Sequence, residues 1–229
     1  MKMLHAVDKP FKENYTLLDR IHQKIITMEQ QKIVNVNAVE TCRQLLSTLH
    51  ADYMQEDSDR VNSHLDWQFD NIMLRKNGEL VLIDWEFSSV ANRFLDIGMA
   101  AVHFGCEGAG LESFLTTYLD RSPEPNDFLK ARIGVLTELA LTASWALGNA
   151  SQLYLADKPE SEIVAMDVVS EYKDCQEFYQ AFLSGDIKLG ADPSVWLVLS
   201  KLCVQDFHQL RESALESYQE TAGLTLANS

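Results

Sequence analysis

Glycine is missing from the first 77 residues; the first in the chain is Gly78. A glycine-rich phosphate cradle therefore has no place in the N-terminal third. The four cysteines, Cys42, Cys106, Cys175 and Cys203, are far apart and form no C-x-x-C pair. That spacing indicates neither a zinc ribbon nor a dithiol motif, and most of them read as buried apolar residues. Basic residues are scarce, with 19 Lys and Arg against 34 acids and a net charge of −15. Such a field repels phosphate backbones, so no nucleic-acid partner is expected; it favours small cations, and it also favours solubility. No run approaches eighteen apolar residues, and the start, Met1 to Pro10, has no long apolar stretch and no small-residue cleavage site. Neither a membrane span nor a signal peptide is expected, which leaves the cytoplasm as the default location.

What is present is enough for a substantial core. The chain has 229 residues, 46% of them hydrophobic and 23% charged, as in one ordinary globular domain. Apolar residues at three- and four-residue steps predict a helix from Phe11 to Met28 and another from Asn37 to Tyr53, the second capped by Asn37. The polar run Gln55 to Asn62 reads as a loop. Short apolar strands are expected at Asn71–Leu74 and Leu80–Ile83, joined through Asn77-Gly78, a strong hairpin turn. Ser88 to Arg93 reads as a loop, followed by helices over Phe94–Phe104, Leu111–Leu119 and Asp127–Leu155. Pro159 opens a helical run to Leu183 that stops at Ser184-Gly185, and Pro193 starts the last helix. The tail after Ala222 is small and polar and is expected to fray. The fold class is α+β, predominantly helical, with one short β-hairpin beside the residues that carry chemistry.

Those residues lie in Ser63-His64-Leu65-Asp66-Trp67-Gln68-Phe69-Asp70-Asn71 and in Ile83-Asp84-Trp85-Glu86. His64, Asp66 and Asn71 follow the spacing H-x-D-x-x-x-x-N, and Asp84 ends an apolar strand. Antiparallel pairing of the two strands brings Asn71 and Asp84 to one mouth. Phosphoryl transfer needs a positioned hydroxyl, cations on the phosphates and charge stabilisation. Asp66 is the candidate to orient and deprotonate the hydroxyl. Asn71 offers an amide oxygen and Asp84 a carboxylate, both suited to magnesium. His64 is expected to brace the loop. Glu86 either reaches the metal through water or faces solvent. Asp96, an acid on an apolar helix, needs a buried partner and is expected to anchor the loop's backbone.

The pattern resembles the aminoglycoside phosphotransferase and choline kinase superfamily, over roughly Leu4 to Gln152. Its members share a protein-kinase-like fold. His64, Asp66 and Asn71 match the catalytic loop of that superfamily. Ile83-Asp84-Trp85-Glu86-Phe87 resembles the form that choline and ethanolamine kinases use in place of D-F-G, and Leu95-Asp96-Ile97-Gly98 matches the acid that follows. Leu4-His5 with Phe11 is more loosely similar to the segment after the hinge. The resemblance implies an ATP- and Mg2+-dependent O-phosphotransferase with Asp66 as catalytic base and Asn71 and Asp84 as metal ligands. It also implies a smaller N-terminal lobe with a nucleotide loop and a phosphate-pairing Lys. Only 65 residues precede Asp66, and they read as helices. The chain thus resembles the large C-terminal lobe alone, residues 1–229. It is read as a fragment, a natural truncation, or a lobe completed by a partner.

The acceptor is expected to be a cationic small-molecule alcohol, with choline, ethanolamine, thiamine and aminoglycosides not separated by charge. By the resemblance, Trp145 in Ser144-Trp145-Ala146-Leu147 hints at an amine-pocket face; core packing on a long helix explains it as well. Trp85 and Trp67 flank the site. Glu56, Asp57, Asp59, Glu124 and Asp127 form either a cation-friendly rim or ordinary solvated loops. The alternative function is a non-catalytic binding or regulatory protein that keeps the large-lobe fold.

Overall fold

The computed structural model describes residues 1–12, 16–31, 36–157, 170–190 and 192–221. Helices dominate: α1 (Lys2–His5), α2 (Leu17–Gln31), α3 (Asn37–Tyr53), α4 (Arg93–Phe104), α5 (Ala109–Leu119), α6 (Pro125–Asp157), α7 (Cys175–Ser184) and α8 (Pro193–Thr221). Between α3 and α4 lie four short strands, β1 (Arg60–Ser63), β2 (Ile72–Leu74), β3 (Leu80–Leu82) and β4 (Ser89–Asn92). No described helix is long and apolar enough to cross a membrane. The chain divides into two compact units.

The first unit holds residues 1–16 and 49–138 and the end of α8 from Arg211. Its strands form two antiparallel pairs. β2 and β3 make the expected hairpin, with Ile72 opposite Leu82 and Leu74 opposite Leu80. Gly78 turns it at φ +84°, a conformation a side chain resists. β1 pairs with β4, Arg60 opposite Asn92 and Ser63 opposite Ser89. Both of these segments read as loops in the sequence. The pair joins residues far apart in the chain, and its Arg, Asn and Ser content hides the alternation that marks a strand. α4 follows β4 at once, because the Asn92 side chain accepts from Phe94 N at 3.0 Å and caps it. The helix expected from Phe94 therefore starts one residue earlier, at Arg93.

The core of this unit is built on α4, α5 and the first half of α6, with Phe94, Ile97, Met99, Leu115, Leu129, Ile133 and Leu136 at 2% exposure or less. Gly98 and Gly134 let α4 and α6 approach backbone to backbone. A Cβ on Gly134 would lie 2.1 Å from Phe94 O, and one on Gly98 would lie 2.1 Å from the Gly134 carbonyl carbon. Beside this crossing, Lys130 Nζ reaches Asp59 Oδ2 at 2.6 Å and Glu56 Oε2 at 2.9 Å, and Arg93 holds Asp59 Oδ1 at 2.8 Å. Burial pulls the Lys130 ammonium down, but the Asp59 and Glu56 carboxylates outweigh it and leave its pKa above the ordinary value.

The second unit holds residues 17–48 and 139–210. Ile21 and Ile25 of α2, Val39, Cys42 and Leu46 of α3, Ala143, Ala146 and Leu147 of α6, Phe178 of α7, and Leu199, Cys203 and Phe207 of α8 are all buried. Small residues on α6 allow Ser200 of α8 to donate to Ala143 O at 2.9 Å. The helix expected from Phe11 starts at Leu17, and the run expected from Pro159 lies outside the described residues as far as 169. α7 begins at Cys175 because Asp174 accepts from Glu177 N at 2.9 Å, and it ends at Gly185, φ +85°.

Two outcomes follow from this packing. Gly134→Ala should cost about 2–3 kcal/mol in denaturant unfolding, since the added methyl meets rigid backbone. Gly148→Ala on the same helix meets nothing within 4 Å and should be neutral or stabilising by up to ~1 kcal/mol. The second outcome concerns His50 Nε2, which bonds Thr137 Oγ1 at 2.9 Å. Thr137 gives its proton to Ile133 O at 2.8 Å, so His50 is the donor. Burial pushes the His50 pKa from 6.5 down to about 4. Above pH 6.5 the ring is neutral in both states; below it the unfolded chain takes a proton that the folded chain refuses. Stability should therefore fall as pH drops from 6.5 toward 4, by at most about 3 kcal/mol from this group. His50→Gln should remove that part of the slope in a pH series of unfolding curves.

Candidate active site

β1 delivers the chain into the loop 64–71, which returns into β2. The turn is tight: Leu65 sits at φ +61°, a left-handed conformation rare for a branched apolar residue. Asp96, fully buried on α4, holds it there. Its Oδ1 accepts from Leu65 N at 2.8 Å and its Oδ2 from His64 N at 2.9 Å. Oδ2 also accepts from His5 Nε2 at 2.9 Å. With that nitrogen donating, His5 Nδ1 accepts from the Tyr118 hydroxyl at 2.6 Å. Burial pushes the Tyr118 phenol up to about 12, which keeps its proton on. A relay from α5 through the N-terminal segment thus fixes the carboxylate that fixes the loop.

His64 is fully buried, its ring 4.8 Å from Trp85 and 5.9 Å from Trp67. Its Nε2 donates to Ile83 O at 2.9 Å, so the loop is tied to the residue just before Asp84. Ile83 N in turn donates to Asn71 O at 2.9 Å. Asn71 points its amide nitrogen at Asp66, donating to the Asp66 carbonyl at 3.0 Å and to Oδ2 at 2.7 Å. Gln68 donates to Asp66 Oδ1 at 2.7 Å. Asp66, Asn71 and the strand end that carries Asp84 are therefore connected by successive hydrogen bonds. The half-buried Asp66 carboxylate is oriented on both oxygens, and the Asn71 amide oxygen takes no bond among the described residues.

Asp84 stands exposed at φ +60°, opening a turn of 3-10 helix through Trp85, Glu86 and Phe87. Glu86 is exposed too. Neither carboxylate has a hydrogen-bond or ion-pair partner among the described residues. No group of three His, Cys, Asp or Glu side chains gathers there closely enough to hold a metal among those residues. The donor set at this mouth is one amide oxygen with the exposed carboxylates. Trp85 is 42% exposed, donates to Leu82 O at 3.1 Å and meets Phe11 edge to face at 6.1 Å.

Trp145 belongs to the second unit, 40% exposed and T-stacked on Trp196 at 4.9 Å. The acids considered for a rim are largely engaged: Asp59 and Glu56 hold Lys130, and Asp127 pairs with Arg121 at 2.6 Å and accepts from Glu124 N at 2.7 Å. Gln68, Tyr118 and Asn62 were not singled out from the sequence. Asn62 accepts from Phe11 N at 2.7 Å and donates to Val7 O and Lys9 O, both at 2.9 Å, clipping the N-terminal segment to β1. Only Gln68, two residues after the acid, left a signal that spacing could have caught.

A mostly helical body with a hairpin beside an acid-anchored loop defines a kinase-like large lobe. The chain belongs to the choline/ethanolamine kinase family, whose model matches residues 1–131. Among solved structures, it is similar to a choline/ethanolamine kinase family protein from Mesorhizobium loti. They share 15% identity over 87% of this chain and 63% of that one, with a TM-score of 0.58. It is also similar to an ethanolamine kinase of Plasmodium vivax, at 14% identity over 91% and 58% of the two chains and TM-score 0.56. LicA in complex with AMP matches at 19% identity over 66% and 52%, TM-score 0.52. The chain spans less than two thirds of the length of each.

Asp96→Ala should leave two backbone N–H groups and His5 without their acceptor. Unfolding should become easier by about 3 kcal/mol or more, and the Leu65 amide should exchange with solvent far faster than its neighbours in α4. Unchanged Leu65 exchange would mean that the loop is held some other way.

Proposed function

We propose that this chain is the large lobe of an ATP-dependent O-phosphotransferase acting on a cationic amino alcohol. The observation that carries the reading is the Asp66 carboxylate, aimed by the Asn71 and Gln68 amides beside the strand end that presents Asp84. A carboxylate held in this way can orient an alcohol O–H and take its proton as the oxygen attacks the γ-phosphorus. Asn71 and Gln68 keep the acceptor oxygens in one rotamer, so little reorganisation is needed at reaction. His64 donates from Nε2 to Ile83 O and acts as a brace.

Family membership and a relative solved with AMP support ATP as the phosphoryl donor. The donor chemistry fits magnesium, which prefers hard oxygen ligands: Asn71 has its amide oxygen turned away from Asp66, and the Asp84 carboxylate is unengaged among the described residues. Asn71 and Asp84 would hold the ion, with Glu86 reaching it through water, and when bound it neutralises phosphate charge. The exposed face of Trp85 suits an ammonium group; Trp145 stays a candidate for the same task on the resemblance alone. ATP as co-substrate supports a cytoplasmic location. A second reading is a binding protein that retains the fold without catalysis.

The test is transfer from Mg-ATP to choline, ethanolamine, thiamine and an aminoglycoside by the full chain. At least one acceptor should be phosphorylated, and Asp66→Ala should lower the rate by about 10²–10⁴-fold. Asp84→Ala should abolish the dependence on magnesium concentration together with most of the activity. No phosphorylation, with no calorimetric heat at millimolar Mg-ATP, would establish the second reading instead.

A further inference from the structure

Three of the four cysteines, Cys42, Cys175 and Cys203, belong to the second unit, and all three are buried. Cys175 and Cys203 touch: their Sγ atoms are 3.0 Å apart, with residual exposures of 4% and 0%. The two residues are 28 apart in the chain, one opening α7 and the other in the middle of α8. A second contact holds the same pair of elements together, since Cys175 N donates to Asp206 Oδ2 at 2.8 Å, one turn beyond Cys203. The start of α7 is therefore tied to α8 next to the sulfur contact, and closing the gap to a bonded distance needs a movement of only about 1 Å.

The geometry points to Cys175 and Cys203 as a thiol pair that hydrogen peroxide converts to a disulfide fastening α7 to α8. The Cys175 thiolate attacks one peroxide oxygen, the O–O bond breaks, water leaves after taking up a proton, and Cys175 becomes a sulfenic acid. The Cys203 sulfur then attacks that sulfur and displaces hydroxide, which leaves as a second water with the Cys203 proton. Two thiols lose two electrons and one peroxide gains them. Cys175 reacts first because it alone of the two retains exposure.

Cys203 as a hydrogen-bond partner, burial, and nearby Asp206 push the Cys175 thiol well above its ordinary pKa. Thiolate is therefore scarce at neutral pH, and cross-linking should be slow there and accelerate as pH rises. Cys42 sits in the same core, where burial and Cys203 push its thiol up to about 12. It lacks a direct sulfur contact among the described residues, so it should not compete.

Hydrogen peroxide added to the full chain, followed by alkylation in denaturant and peptide mapping without reductant, tests this. A peptide pair joined through Cys175 and Cys203 should form, faster at alkaline pH, and dithiothreitol should reverse it. The melting temperature of the oxidised protein should rise by about 5–10 °C. Cys42→Ser should keep the cross-link. Cys203→Ser and, separately, Cys175→Ser should each abolish it, with circular dichroism showing that the variants are folded. Full alkylation of both cysteines after peroxide treatment, a sulfinic acid on Cys175 without a cross-link, or a bridge through Cys42 would each overturn the assignment.

Discussion

The candidate site depends on one buried carboxylate. Asp96 has no exposure and satisfies three donors at once: two consecutive backbone amides of the loop and the imidazole of His5. A buried carboxyl group is tolerable only when hydrogen-bonded, and here one of its donors is the amide of Leu65, the loop's left-handed residue. Leu65 in a left-handed conformation would relax if its amide lost that acceptor. The loop's geometry is thus held by burial on α4, and α4 is held in turn by its Asn92 cap and its glycine crossing with α6.

From that anchor the order propagates outward. His64 fixes the residue just after β3, β3 pairs with β2, and Asn71, just before β2, reaches back to Asp66. Each step is a hydrogen bond between groups with little freedom to point elsewhere, which is what pre-organisation requires. The result is an oriented acid linked through Asn71 to the strand end that precedes the exposed Asp84 and Glu86. The exposed groups carry no structural task among the described residues, whereas the buried ones carry nearly all of it.

Much of this was legible in the sequence because it is local. The hairpin announced itself through Asn77-Gly78 between apolar triplets, and the bounds of α3 were readable from its stripe, although the cap position falls on Val36, whose carbonyl accepts from Glu40 N, and not on Asn37. The helical fold class and the family emerged from the loop spacing and from the strand ending in Asp84. What stayed hidden was long-range. β1 and β4 pair across 26 or more residues and carry polar side chains, so nothing nearby in sequence marks them as strands. The link from Tyr118 to His5 to Asp96 spans 113 and 91 residues, and no periodicity reports such a contact. The engagement of Asp59 by Lys130 was equally invisible, because a loop acid and a helix lysine 71 residues apart look solvated until the chain is folded.

The most direct test of the central claim uses manganese as a paramagnetic stand-in for magnesium, together with ATP, read by NMR on the full chain. Broadening should concentrate on the Asn71 side-chain amide and the backbone of Asp84, weaken with distance along the hairpin, and vanish at both positions in Asp84→Ala. Broadening centred elsewhere, or unchanged in that variant, would contradict the account.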